Sequence, residues 1–260
     1  MPETDNEGFV RSFARGLTVL EAMGKSGRHT VATVSETCGL PRTVVRRILL
    51  TLTELGYARL GVDKSFHLTP KVLNLGMTYL TSLPFWSHAQ RVLEQLCAQV
   101  QESCAIAVFD GSDIVFVLRI PSSKIMSLRI GMGSRIPAYA TAPGRLLLAH
   151  SEQEVLNRYL ETQELKPITP ATLVNRADLE SSLNQIKADG FAWVDGEFDL
   201  HVAGLAVPLY DEKNQVAATI STNLLHAEYD RERAIETLLP SLRSASAQLA
   251  GLAPAFLYSR

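Results

Sequence analysis

Apolar positions recur with helical spacing three times in the first 55 residues. Phe13, Leu17, Leu20 and Met23 predict a helix over 12–24, and Val31, Val34 and Cys38 a second over 30–38, with Thr30 suited to cap it. Val45, Ile48, Leu49, Leu52 and Leu55 make one face of a third, over 41–55. Gly39 can close the second helix in the left-handed conformation, and Pro41 suits the first turn of the third. Residues 57–60 and 66–68 are strand-like runs around a turn-rich 61–65. Two helices, a tight turn, a third helix and a hairpin describe a winged helix-turn-helix over residues 9–70.

Residues 71–83 predict a linker helix carrying Leu73, Leu75, Met77, Tyr79 and Leu80. So many apolar positions call for a partner, either a second copy of the chain or the helix's own domain. Leu83-Pro84 breaks that helix and opens a domain over 84–260. A helix over 85–101 turns Ala89, Val92, Leu93, Leu96, Cys97 and Val100 inward. The period then changes. Strands are predicted at 105–109, 114–120, 125–130, 191–194, 205–210 and 216–222, and 136–140 re-enters the fold. Pro143-Gly144 punctuates, and helices follow at 145–150, 152–162, 178–189 and 231–252, the last bent at Pro240. Hairpins with helices between them give an α+β domain with an antiparallel sheet.

The net charge of −2 hides a division. Residues 9–71 hold ten bases and four acids, residues 1–8 three acids, and residues 72–260 fifteen bases and twenty acids: +6 − 3 − 5 = −2. A basic module on an acidic remainder suits a DNA-reading domain joined to a different business end. Arg42, Thr43, Arg46 and Arg47 lie in the first two turns of the third helix, where arginine can bind guanine bidentately and threonine can reach a phosphate or a base edge. Arg59 and Lys64 on the hairpin would meet the DNA backbone. The plainer reading is a helix whose arginines only keep it soluble; the preceding helix and turn favour DNA.

No apolar run spans a bilayer, and the polar, acidic start of the chain is no signal peptide. Residues 1–8 are expected to be unstructured. Cys38, Cys97 and Cys104 lack metal-type spacing and suit a reduced, cytoplasmic protein. No strand–GxxxxGK–helix signature offers a phosphate cradle, and no serine sits in a G-x-S-x-G turn. Asp195, Glu197 and Asp199, near His201, are acids of the kind used in acid–base or metal chemistry, but they lack a convergent nucleophile and read equally as a solvated loop or a pocket wall. No cofactor, metal or catalytic residue is assigned. An enzyme fused to a DNA-binding domain remains a remote alternative.

The strings FVRSFARGLTVLEAM, GLPRTVVRRILLTLTELGYARL, LTPKVLNLGMTYL, IPAYATAPGRLLLA, GFAWVDGE and LAVPLYDEKNQVAATIS cover nearly the whole chain. Together they resemble the IclR-type bacterial transcription regulators. RSFARGL, RRILLTL and GSRIPAYAT most resemble the branch that governs aromatic-acid breakdown through the β-ketoadipate pathway. The resemblance implies a GAF-like effector-binding domain, a homodimer or dimer of dimers, operator DNA as partner, and a small carboxylate effector such as an aromatic acid or β-ketoadipate. It places the effector among Ala138, Tyr139, Ala140, Thr141 and Ala142, the loop from Asp195 through Glu197 to Gly204, and a strand bearing Ser221 and Asn223. Met126 and Tyr139 would face an apolar ring, Thr141, Ser221 and Asn223 a carboxylate, with Arg135 as the candidate cation unless it is a surface arginine. Many relatives carry glycine or serine where Ala142 and Pro143 stand, and EFDLHVAG is more apolar and aromatic than the loop of relatives for small keto acids. Both departures suit a larger, flatter ligand. The alternative effector is a small aliphatic keto acid such as glyoxylate.

Overall fold

The computed structural model describes residues 8–24, 27–81, 85–122, 124 and 130–253. The expected break at Leu83-Pro84, Met126, most of the strand expected over 125–130, and all but Gly8 of the segment expected to be unstructured lie outside them. The chain divides into two compact units, Met1–Ser82 and Leu83–Arg260.

The first unit contains α1 (Arg11–Ala22), α2 (Val31–Cys38), α3 (Arg42–Glu54) and the hairpin β1 (Ala58–Leu60) with β2 (Phe66–Leu68). Thr30 and Thr33 form a reciprocal capping box at the start of α2, and Gly39 closes it at φ 67°. Pro41 stands one position outside α3, where its carbonyl accepts from the Val44 and Val45 amides. Val19, Val34, Val45, Leu49 and Phe66 form the core. The wing tip is tied down: Asp63 accepts from the Ser65 hydroxyl at 2.6 Å, from its amide at 3.1 Å, and from Arg28 Nε at 3.1 Å. A 3-10 turn (Pro70–Val72) then leads into α4 (Leu73–Thr81). Leu73, Leu75, Met77 and Tyr79 are exposed there; nothing is described of the Leu80 side chain.

The second unit is a six-stranded antiparallel sheet in the order β5-β4-β3-β8-β7-β6: β3 (Ser103–Asp110), β4 (Asp113–Ile120), β5 (Arg135–Pro137), β6 (Ala192–Asp195), β7 (Val202–Tyr210) and β8 (Val216–Leu225). Packed against one face are α5 (Phe85–Val100) and α10 (Leu239–Leu249), the latter following α9 (Arg231–Thr237). The expected inward residues of α5 are all buried. On the other face lie α6 (Ala142–Ala149), α7 (Gln153–Thr162) and α8 (Arg176–Asp189), around a core that includes Phe116, Leu146, Leu147 and Leu183.

Two expectations change here. Pro143-Gly144 does not interrupt the chain but opens α6: Thr141 caps the helix by accepting from the Gly144 amide, and Pro143 sits in the first turn. Gly144 is required by proximity, because a Cβ there would stand 2.3 Å from the Ala138 carbonyl oxygen. The strand β7 begins at Val202 rather than 205, since the small residues Ala203 and Gly204 continue the ladder opposite Leu224 and Asn223.

Candidate functional site

In the first unit, Arg42, Thr43, Arg46 and Arg47 are exposed on α3, and Arg59 and Lys64 are exposed on the hairpin. None of these five cations is in an ion pair among the described residues. Beside them runs an apolar groove of about 630 Å³ built from α1, α3 and the start of α4, with Phe13, Leu17, Leu55 and Leu75 among its walls. Arg47 borders this groove, so it divides its surface between the two.

In the second unit, the first turn of α6, the loop after β6, the start of β7 and the end of β8 enclose a small cavity. Its free volume is about 30 Å³, far below the roughly 300–1,000 Å³ of ordinary ligand pockets. Six of the expected residues line it: Ala140, Thr141, Ala142, Glu197, Gly204 and Asn223. Gly204 leaves room for the helix, since a Cβ there would stand 3.1 Å from that of Ala142. Phe198 of the expected loop adds an aromatic wall, and Phe116, Ile130 and Ile136 add apolar walls outside the expected segments.

Several expected residues are placed elsewhere. Tyr139 turns into the core. Its hydroxyl donates to the Lys166 carbonyl at 2.9 Å and accepts from the Lys166 amide at 3.1 Å, so its ring does not line the cavity. Ala138 packs beneath Gly144. Ser221 is buried on the same sheet face as Asn223 but is not in the lining. Arg135 points away, because strand alternation gives the cavity to Ile136. Its guanidinium, about half exposed, pairs with Asp110 and with Asp113 at 3.3 Å, and these carboxylates hold its pKa above the ordinary value.

The acidic cluster does not converge. Asp195 bonds His226 Nδ1 at 2.7 Å, and Asp199 accepts from the His201 amide at 2.9 Å. Glu197 pairs with Arg145, a buried residue to which the sequence assigns no role. Arg145 also donates from Nε to the Tyr139 carbonyl at 2.7 Å, and Glu197 accepts from the Leu173 amide at 2.8 Å. The pair therefore bolts the cavity loop to α6. Burial pushes the Arg145 pKa down, and Glu197 opposes that shift. No group of carboxylates, cysteines or histidines among the described residues could hold a metal.

The helix-turn-helix of IclR matches residues 12–60, and the model of the bacterial transcriptional regulator IclR C-terminal domain matches residues 77–250. The chain belongs to the IclR family. It is a transcription regulator that binds DNA through its helix-turn-helix, not an enzyme. Among IclR relatives, the Pca regulon regulatory protein of Pseudomonas putida is 36% identical over 248 residues, 95% of this chain and 85% of that protein. The p-hydroxybenzoate hydroxylase transcriptional activator of Acinetobacter baylyi is 32% identical over 261 residues, 96% of this chain and 94% of that protein. A double mutant of the inducer-binding domain of the PobR transcription factor from Acinetobacter, in complex with 3-hydroxybenzoic acid, superposes with a TM-score of 0.59 at 27% identity, over 63% of this chain and 95% of that one. This IclR regulator thus stands close to regulators of aromatic catabolism. No described helix is long and apolar enough to cross a membrane.

Proposed function

We propose that the chain is a cytoplasmic, aromatic-acid-responsive regulator of a catabolic operon, with residues 9–70 reading the operator, 71–83 linking, and 84–260 sensing the effector. The observation that carries the effector class is the cavity itself. Apolar and aromatic walls from Phe116, Ile130, Ile136 and Phe198 meet neutral hydrogen-bonding groups from Thr141 and Asn223, a combination suited to a flat acid. The 3-hydroxybenzoic acid held by the PobR inducer-binding domain supports the same class. Ligand pockets usually measure about 300–1,000 Å³, so the walls must part for a benzoate to enter. That difference between closed and liganded states is what a switch needs, because a ligand shifts an equilibrium only by binding one state better.

On the DNA side, Arg42, Thr43 and Arg46 would enter the major groove, with Arg47, Arg59 and Lys64 on the phosphates. A second copy of the chain would cover the groove of α1 and α4, burying Phe13, Leu17, Leu73 and Leu75, and would bring two recognition helices to a two-fold site.

Calorimetric titration of the full-length protein with 3- and 4-hydroxybenzoate, β-ketoadipate, glyoxylate and pyruvate tests the effector class. Saturable binding of a hydroxybenzoate is expected. Binding of glyoxylate or pyruvate alone, with the aromatic acids inert, would overturn the aromatic assignment.

A further inference from the structure

We infer that Arg119, flanked across the sheet by Ser221, is the residue that captures the effector's carboxylate. This rests on the proposed effector class. A register shift in the β3–β4 ladder sets the face of Arg119. In the β3–β4 ladder Ala107 faces Phe116, yet Ile106 faces Leu118, so Val117 is an extra residue in β4. A bulge of this kind reverses the alternation of the strand beyond it. Without it, Arg119 would share the face opposite Phe116. With it, Arg119 stands opposite Ala105, on the core face that carries Phe116, Ala107 and α6.

The same row continues across the sheet. Ala105 is also paired with Ser221 on β8. Neighbouring strands lie about 4.8 Å apart, so Arg119 and Ser221 stand roughly 10 Å apart, with Ala105 as the residue between them in that row. Neither lines the closed cavity, and once its walls part a carboxylate would be held from one side by the guanidinium and from the other by the hydroxyl. In the next row Ser103 faces Asn223, and the Ser103 hydroxyl is buried without a hydrogen-bond partner.

The guanidinium is held near the cavity and left incomplete. Arg119 Nη1 donates to the carbonyl of Ile130, a cavity residue, at 2.5 Å. Its Nε is buried with no partner, and Arg119 forms no ion pair among the described residues. Buried charges are ordinarily paired, and Arg145, on the same side of the sheet, has Glu197. Burial lowers the Arg119 pKa with no carboxylate to offset it, while the group stays cationic at neutral pH. An arriving carboxylate would supply the missing acceptor. Arg135, by contrast, already has two carboxylates.

The test is calorimetry on the full-length protein with 3- and 4-hydroxybenzoate and the matching hydroxybenzamides, for wild type, Arg119→Gln, Arg119→Lys and Arg135→Gln. Arg119→Gln should weaken binding of the acid about ten- to a hundredfold, as expected for loss of a charge-assisted pair. Arg119→Lys should lose part of that, because it keeps the charge without the fork. Arg135→Gln should bind as wild type does. On wild type the amide should bind at least tenfold more weakly than the acid, and Arg119→Gln should not weaken it further. Acid binding unchanged in both Arg119 variants would overturn the inference while leaving the aromatic effector class intact. So would equal affinity of acid and amide for wild type, which decides the matter even where Arg119→Gln does not fold. No hydroxybenzoate binding to wild type would instead remove the effector class and this inference with it.

Discussion

The recognition helix and the core face of the sheet hold arginine in opposite ways. In the first, Arg42, Arg46 and Arg47 stand in water on a short helix, with no ion pair among the described residues. Water solvates them, so a lack of partners costs nothing, and they remain available to a polyanion. In the second, Arg145 is buried and needs Glu197, while Arg119 is half-buried and has only a carbonyl. An unpaired arginine in water is ordinary, whereas one half-buried under a sheet lacks both the water and the carboxylate that would stabilise its charge.

The largest expected effect is on the buried pair. Arg145→Met strands the Glu197 carboxylate beneath the loop and should cost about 3–5 kcal/mol of stability. Urea denaturation of the full chain should show the loss in the transition of the second unit, with operator binding by the first retained at low temperature. A loss below about 1 kcal/mol, the range of surface pairs, would mean that the pair does not anchor the loop.

Arg46→Ala should weaken operator binding by about 1–3 kcal/mol if it reads a base, and should relax preference at one position. Lys64→Ala, at the wing, should weaken all sequences alike and lower the salt slope by about one. Gel-shift titrations at several salt concentrations separate the two. Wild-type affinity in Arg46→Ala would show that α3 presents a different face to DNA.

The smallest effect belongs to Arg135. Its pairs with Asp110 and Asp113 are about half exposed, so Arg135→Ala should change stability by no more than about 1 kcal/mol in a urea titration. A larger loss would contradict the division between exposed and buried arginines.

The same division explains what was legible in the sequence. The first unit's elements are local: helical spacing, Gly39 and the hairpin turn all lie within a few residues of what they organise, and the structure reproduces them. The cavity is non-local. Thr141, the stretch from Glu197 to Gly204, and Asn223 come from three separate segments, and only resemblance to a family joins them. Arg135 was misplaced because it adjoins the wall in sequence while the strand turns it outward. Tyr139 was misplaced because a 3-10 turn (Ala138–Ala140) directs its ring into the core. Arg119 was missed because its face depends on one extra residue in β4, and no periodicity in β4 alone reveals a bulge. Arg145 drew no assignment, because nothing in its neighbourhood points to Glu197, 52 positions away.

The central claim is that an aromatic carboxylate in the second unit changes what the first unit does on DNA. Fluorescence anisotropy tests it most directly, using labelled DNA from the promoter region beside the protein's own gene, at fixed salt, with and without saturating 4-hydroxybenzoate, 3-hydroxybenzoate or glyoxylate. Allosteric coupling typically amounts to about 1–3 kcal/mol. The account predicts that a hydroxybenzoate shifts DNA affinity about 5- to 150-fold, in either direction, and that glyoxylate leaves it unchanged. DNA affinity that stays constant under saturating aromatic acid, or that responds to glyoxylate alone, would contradict it.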